Sequence, residues 1–472
     1  MASKGTFLGV FAALAAVMVG CGGATVVERE DPGVVTLEGA LANSYVPAGE
    51  ASQVVARVRV GTLPLNRGVR PPINLALVVD TSGSMEGEPI EDAREASLAL
   101  LDMLAEGDRL AVVAFHSTTD VLLPSTELDD DNLDELRERI ARMEASGTTD
   151  MAGGLTIGLQ EVVGHFDAQG INRVVLLGDG VPNDESGIAA LAQASGERGI
   201  AITALGLGLE YNETLMGQIA QLSGGRFHYV EESQAVASVF REEVLQLERV
   251  FGRNATVRLQ PGPGVRIDSV VGQNVAEAGG SVRILLGDLS EGVARDLIVR
   301  LTVDGHRDGA SVELVDVHLT FDDAVDGIGT LERRVFLGAR STADAETLSS
   351  GRNEEIERAA ARMQAAAVTV DAIRMARGGE LDRARAVLAE AERDARDYAT
   401  ANDDADVMEQ AASMSSLQGS LGALAPTGSG STPYRLDDSE PVSADAPAPM
   451  PPEAGARQNR RVHEEAMEVL GY

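Results

Sequence analysis

Tryptophan is missing from the chain, and aromatic residues make up only 3% of its 472 positions. Any core must therefore be filled by valine, leucine, isoleucine and alanine. There is one cysteine, so no disulfide framework can support the fold. Positive charge is scarce as well: 39 Lys and Arg stand against 74 Asp and Glu, a net charge of −35. Such a surface repels phosphate backbones, which argues against nucleic acid as a partner. There is no Walker A loop, and "GLGLE" at 206–210 lacks the third glycine of a dinucleotide fingerprint, so nucleotide chemistry has no support. "HEEAM", beginning at His463, lacks the second histidine of a zinc protease. The six histidines are scattered, and His116 and His228 lie in strand-like runs where packing is the default role. No nucleophile, base and orienting group form a visible set. The chain is expected not to be an enzyme.

The hydrophobic share, 44%, is that of a globular protein, and the length suggests about three domains. The first residues, "MASKGTFLGVFAALAAVMVGC", hold one early positive charge at Lys4 and an apolar run from Phe7 to Val19. That run is too short to span a bilayer, which takes about 20 residues, and the order is that of a secretory signal. With Gly20 just before Cys21, "MVGC" resembles the lipobox of a bacterial lipoprotein. The resemblance implies that residues 1–20 are removed and that Cys21 is acylated, a lipid anchor to a membrane. Two or more acyl chains suffice for stable anchoring. By the same analogy Gly22, in place of Asp, leans toward the outer membrane of the bacterial cell envelope, on either its periplasmic or its exposed side.

Past a short polar leader, "SQVVARVRV" (52–60) alternates, with Val54, Ala56, Val58 and Val60 on one face and Arg57 and Arg59 on the other. This is the pattern of a half-buried antiparallel strand. From Ile73 to about Val250 the pattern changes. "INLALVVD", "DRLAVVAF", "NRVVLLGD" and "IAITALGLG" are near-continuous apolar runs, as in parallel strands buried on both faces. Helical segments separate them, the first placing Ile90, Ala93, Ser97, Leu101 and Leu104 on one stripe. This predicts an α/β, doubly wound, mostly parallel sheet over 73–250. Alternation returns over 254–338, and the 52–60 strand has no sheet of its own. Residues 36–70 and 254–338 are therefore expected to form one antiparallel β-sandwich into which the α/β unit is inserted. A small Ala-rich helical region is expected over 352–424, with a hinge at Gly378-Gly379. A disordered Pro/Ser/Ala-rich tail is expected over 425–460, followed by one short helix in "RRVHEEAMEVLGY".

The first apolar run ends on "VVDTSGSM", with Asp80, Ser82 and Ser84 two residues apart. In a doubly wound sheet ligands bind beyond the carboxyl ends of the strands, so two further loops should converge there. "SGTTDMAGG" (146–154) opens a helix, and "VVLLGDGVPN" (174–183) ends a strand on Asp179. Together these resemble the von Willebrand factor type A (VWA) domain with its metal-ion-dependent adhesion site. The resemblance covers roughly 73–250 and implies that Asp80, Ser82, Ser84, Thr149 and Asp179 form the site. Thr148 is a possible substitute, although "TTDM" aligns best with Thr149. Gly178 stands where the family more often has Thr.

By that resemblance Ser82, Ser84 and Thr149 coordinate the ion directly, while Asp80 and Asp179 act mostly through waters. The ion implied is Mg2+, with Mn2+ or Ca2+ as alternatives. Mg2+ takes six oxygens near a regular octahedron, and short hydroxyl side chains reach it without crowding. With neutral direct ligands the ion keeps much of its charge, and a partner's Asp or Glu is the natural sixth ligand. The function implied is a membrane-anchored module that captures a protein partner. Two other readings stay open: a non-adhesive subunit assisting an ATPase or chelatase-like complex, and an envelope scaffold with a structural metal.

Overall fold

The computed structural model describes residues 31–65, 70–178, 182–207, 212–230, 236–273, 276–278, 280–424 and 452–472. The leader with Cys21, and Asp179, lie outside the described residues. Three strands open the chain: β1 (Val35–Leu41), β2 (Tyr45–Pro47) and β3 (Ser52–Thr62). In β3 the alternation decides burial. Val54, Ala56, Val58 and Val60 enter the core. On the other face Arg59 makes a two-pronged ion pair with Asp296 at 2.7 Å.

The α/β unit follows. Its strands are β4 (Ile73–Asp80), β5 (Arg109–Phe115), β6 (Thr119–Glu127), β7 (Ile171–Gly178), β8 (Ala201–Leu207) and β9 (Phe227–Val230). Its helices are α1 (Glu88–Met103), α2 (Leu133–Ile140), α3 (Met151–Gly164), α4 (Ile188–Glu197), α5 (Glu213–Ser223) and α6 (Val236–Leu247). The sheet order is β6-β5-β4-β7-β8-β9, and only β6 runs antiparallel. All eight positions of β4 are buried because both faces are covered. Leu75, Leu77 and Val79 pack under α1, α2 and α6, through side chains such as Leu100, Leu136 and Phe240. Ala76 and Val78 pack under α3, α4 and α5, through Leu155, Ile188 and Ile219. The sequence reading had singled out neither β6 nor α5. β6 is an edge strand with few buried positions.

The remaining strands are β10 (Val250–Pro261), β11 (Val265–Val270), β12 (Ala276–Ala278), β13 (Ser281–Ser290), β14 (Ala294–Val303), β15 (Ser311–Asp323) and β16 (Thr330–Thr342). They form two sheets with the opening strands, β1-β3-β14-β11 and β12-β13-β10-β15-β16-β2. β3 pairs along β14 from Gly61↔Ala294 to Ser52↔Val303. A strand before the α/β unit thus completes a sheet made after it, so the unit is inserted in the sandwich. Between the sheets, Val58, Leu297, Val299 and Leu301 meet Val257, Leu259, Val317 and Leu319.

Four helices follow: α7 (Ala345–Ser350), α8 (Glu354–Arg377), α9 (Leu381–Asn402) and α10 (Ala405–Ser420). Asn353 and Asp404 cap α8 and α10 through their side chains. Gly378 and Gly379 separate α8 from α9, the second with φ +84°, a conformation that favours glycine. α8 crosses the sandwich, where Arg57 pairs with Glu355 at 2.6 Å.

The tail departs from expectation. Residues 452–460, expected to be disordered as part of 425–460, belong to α11 (Pro452–Val469). Within that stretch Asn459 and Arg460 are buried, and Val462, Ala466 and Met467 continue the buried face of the helix beyond it. The helix is also tied down near its middle, where the Asn459 amide donates to the Ser420 carbonyl at 3.1 Å. Among the described residues no helix is long and apolar enough to cross a membrane.

Candidate metal centre

β4 delivers Asp80 to the carboxyl end of the sheet, fully buried at 0% exposure. Its Oδ1 accepts the Ser82 backbone N–H at 2.8 Å, an Asx-type turn in which a short side chain replaces a backbone acceptor. The Thr81 N–H donates to the Phe115 carbonyl at the end of β5, at 2.8 Å. In the other direction, the Thr81 carbonyl accepts from Ser146 at 2.7 Å, and the Gly83 N–H donates to the Gly147 carbonyl at 3.0 Å. Two backbone bonds thereby fix the 80–84 turn to the loop at 146–147. The Ser82 and Ser84 hydroxyls share a hydrogen bond, their oxygens 3.0 Å apart.

The facing loop is held from its far side. Ser117, just past β5, accepts the Thr148 N–H at 2.9 Å and pairs with the Thr148 hydroxyl at 3.2 Å. Gly147 has φ +76°, and a Cβ there would lie 2.4 Å from Ser117 Oγ, so only glycine lets the loop approach this closely. Thr148 is thus engaged with Ser117, while Thr149 turns inward at 7% exposure. Its carbonyl accepts the Asn183 N–H at 3.1 Å. Asp150 then caps α3 through the Gly153 N–H at 3.0 Å. At the end of β7, a Cβ on Gly178 would sit 3.6 Å from Asp80 Oδ2, so the strand that leads to Asp179 ends beside Asp80.

The structure therefore brings together Asp80, Ser82 and Ser84 in one turn and Thr149 on the adjoining loop. Asp179 lies outside the described residues. Ser117 and Gly147 are parts of the site that the sequence reading missed. Gly147 directly precedes the Thr-Thr pair and could have been suspected, but Ser117 belongs to no motif.

The donors fit a small hard cation. In an octahedron with about 2.1 Å bonds, neighbouring oxygens lie about 3.0 Å apart, the spacing of the Ser82 and Ser84 hydroxyls. The described donors are all oxygens, which suits Mg2+, Ca2+ or Mn2+ rather than softer metals. No three His, Cys, Asp or Glu side chains cluster to hold a metal among the described residues.

Residues 74–242 match the family model for the von Willebrand factor type A domain. The α/β unit is a VWA domain. Domains of this family generally mediate protein interactions and commonly bind a divalent metal. An uncharacterized protein of Synechocystis is 28% identical over 300 residues, covering 61% of this chain and 70% of that protein. The uncharacterized Escherichia coli protein YfbK is 27% identical over 248 residues, 50% of this chain and 43% of YfbK. Human inter-alpha-trypsin inhibitor heavy chain H4 is 26% identical over 187 residues, 37% of this chain and 20% of the heavy chain. The match thus spans less than half the length of YfbK and a fifth of the human protein. Among solved structures, a von Willebrand factor type A protein from Catenulispora acidiphila superposes with a TM-score of 0.65 at 20% identity, covering 82% of this chain and 89% of its own. The ArnB paralog VWA2 from Sulfolobus acidocaldarius gives 0.58 at 15% identity, covering 93% and 99%. These two likenesses show a shared fold that extends beyond the VWA domain.

Proposed function

We propose that this VWA domain captures a protein partner through a divalent cation, Mg2+ by preference, with Mn2+ or Ca2+ as alternatives. Ser82, Ser84 and Thr149 would hold the ion directly, and Asp80 and Asp179 would orient its waters. The observation that carries this reading is the pair of serine hydroxyls at octahedral spacing beside the buried Asp80 carboxylate. When bound, the cation supplies a positive centre able to accept a carboxylate oxygen. The protein's part is to present neutral hydroxyls, so the charge is not spent on its own ligands, and to keep the turn fixed through Thr81, Gly83 and Ser117. The partner presents an Asp or Glu. Asp80 belongs to the outer shell in this arrangement, where losing one group costs about 10- to 100-fold in metal affinity. No covalent chemistry is part of the proposal.

The same reading anchors the mature chain to the cell envelope through acylated Cys21, the outer membrane being favoured by Gly22. Cys21→Ser should move the protein from the membrane fraction to the soluble fraction, and an unchanged distribution would remove the anchor from the account. For capture itself, the test is a pull-down from envelope extracts with wild type and Ser84→Ala, in Mg2+ and in chelator. A partner retained by wild type in Mg2+ and lost both in chelator and with Ser84→Ala is expected. Retention that ignores both changes would refute metal-dependent capture.

A further inference from the structure

A second polar site lies away from the metal turn, where α11 meets α5, α8 and the loop after β11. It is a partly enclosed cavity of about 310 Å³, at the small end of the range for small-molecule sites. His463 of α11 reaches into its wall at 1% exposure, and neither ring nitrogen has a hydrogen-bond partner among the described residues. The buried hydroxyl of Thr214 on α5 also lacks one. Buried polar atoms are nearly always satisfied, by protein or by ordered water, so unmet atoms aimed at a cavity point to what fills it.

The imidazole is held in place by packing. Phe227 meets it edge to face, with centroids 5.5 Å apart at 84°. Its Cε1 edge faces Gly217, where a Cβ would stand only 3.3 Å away, so the glycine keeps this end of the cavity open. Burial pushes His463 down to about 4, with Arg377 and Arg460 adding to the effect and Glu213 opposing it. The ring is neutral at pH 7, with one nitrogen to donate and one to accept.

We propose that this cavity binds a small uncharged molecule of about monosaccharide size, bearing hydroxyl or amide groups along one edge. Charge is excluded by the surroundings. Asp371 and Arg374 at the cavity pair with each other at 2.6 Å, and Glu213 behind it pairs with Arg377. A net charge entering would meet carboxylates and guanidiniums already paired with each other, and an unpaired buried charge is costly. Gln218 and Gln364 also line the cavity, each amide offering donors and an acceptor. Met467 and Leu470 add apolar lining. The lining comes from four separate segments, so an occupant would also clamp α11 onto the VWA domain.

Saturation-transfer NMR on the full chain tests this with four probes: N-acetylglucosamine and glucose, which are uncharged, and glucosamine and gluconate, which are charged. Transfer to an uncharged probe is expected, and at least about tenfold weaker binding of its charged counterparts, the loss typical of one poorly matched buried polar group. His463→Phe, which keeps an aromatic ring against Phe227 but removes both nitrogens, should abolish the signal. Gln364→Leu sits at a half-buried helix position, leaves the core untouched, and should weaken it. No transfer to either uncharged probe would mean the cavity holds water only and would overturn the proposal. So would transfer that persists unchanged in both variants, or that is equal for charged and uncharged probes.

Discussion

The turn at 80–84 and the cavity beneath α11 are both polar, yet they are built in opposite ways. At the turn, hydrogen bonds between near neighbours in space fix the backbone before any ligand arrives: Ser82 to Asp80, Gly83 to Gly147, Thr148 to Ser117. The cavity has no such local wiring. His463 and Thr214 are brought together by docking of helices far apart in the sequence, and their polar atoms stay unmet. The first kind of site is a property of one sheet end. The second exists only while α11 is seated. Loss of α11 should therefore erase the cavity and leave the metal turn in place.

The largest effect should come from the seat of α11. Leu470 is buried and packs against Gly272, where a Cβ would come 2.4 Å from its Cδ2. Leu470→Ala should cost 2–5 kcal/mol, about the range for emptying a core leucine site, measured as a lower denaturant midpoint. Its Mg2+ affinity should be unchanged, and a parallel loss would show that the two regions are coupled. Next in size is Gly147→Ala. A positive φ and a Cβ 2.4 Å from Ser117 Oγ should cost about 1–3 kcal/mol of strain, and calorimetric Mg2+ titration should weaken with it while sugar binding stays. Ser117→Ala is milder. It removes the acceptor of an exposed N–H that water can satisfy, so the melting temperature should hold. Metal affinity should fall about 10- to 100-fold, as when a group that orients ligands is lost.

A further difference between the two regions is in pH. The His463 value in the folded chain, about 4, lies below its ordinary 6.5. The unfolded chain therefore takes up a proton that the folded chain refuses, and stability present above pH 6.5 is lost as the pH falls toward 4, by at most about 1.4 kcal/mol per unit. Glu243, in the VWA domain, titrates in a different window. Burial alone would raise it, but the hydrogen bond from His228 and the charges of His228, Arg226 and Arg173 outweigh burial and hold it at about 2. Its contribution persists down to pH 4.5 and fades below. Acidification from 6.5 to 4.5 should thus loosen α11 ahead of the VWA core, as hydrogen exchange resolved by segment would show. Simultaneous loosening would contradict the distinction.

The same contrast explains what could be read from the amino acids. β4 was legible because burial on both faces demands an unbroken apolar run, and its Asp80-Ser82-Ser84 exit because those side chains are adjacent in sequence. β3 was legible from its alternation, and its place in the sandwich followed from its having no other partner. Thr149 needed a family resemblance to be found, and Ser117 could not be found at all, since its role depends on how closely Gly147 packs. α11 was half hidden: its first turns lie inside a stretch whose composition reads as disorder. His463 looked like one more scattered histidine, because nothing local announces that α5 leaves a gap at Gly217.

The central claim is that the turn at 80–84, with Thr149, holds a divalent cation. Calorimetric titration of Mg2+ into wild type, Ser84→Ala and Thr148→Ala tests it most directly, since Thr148 is the neighbour already engaged by Ser117. The account predicts saturable binding by wild type, binding weakened at least about tenfold in Ser84→Ala, and wild-type affinity in Thr148→Ala. Equal affinity in all three, or no binding by the wild type, would contradict it and leave the turn a plain strand-to-helix connection.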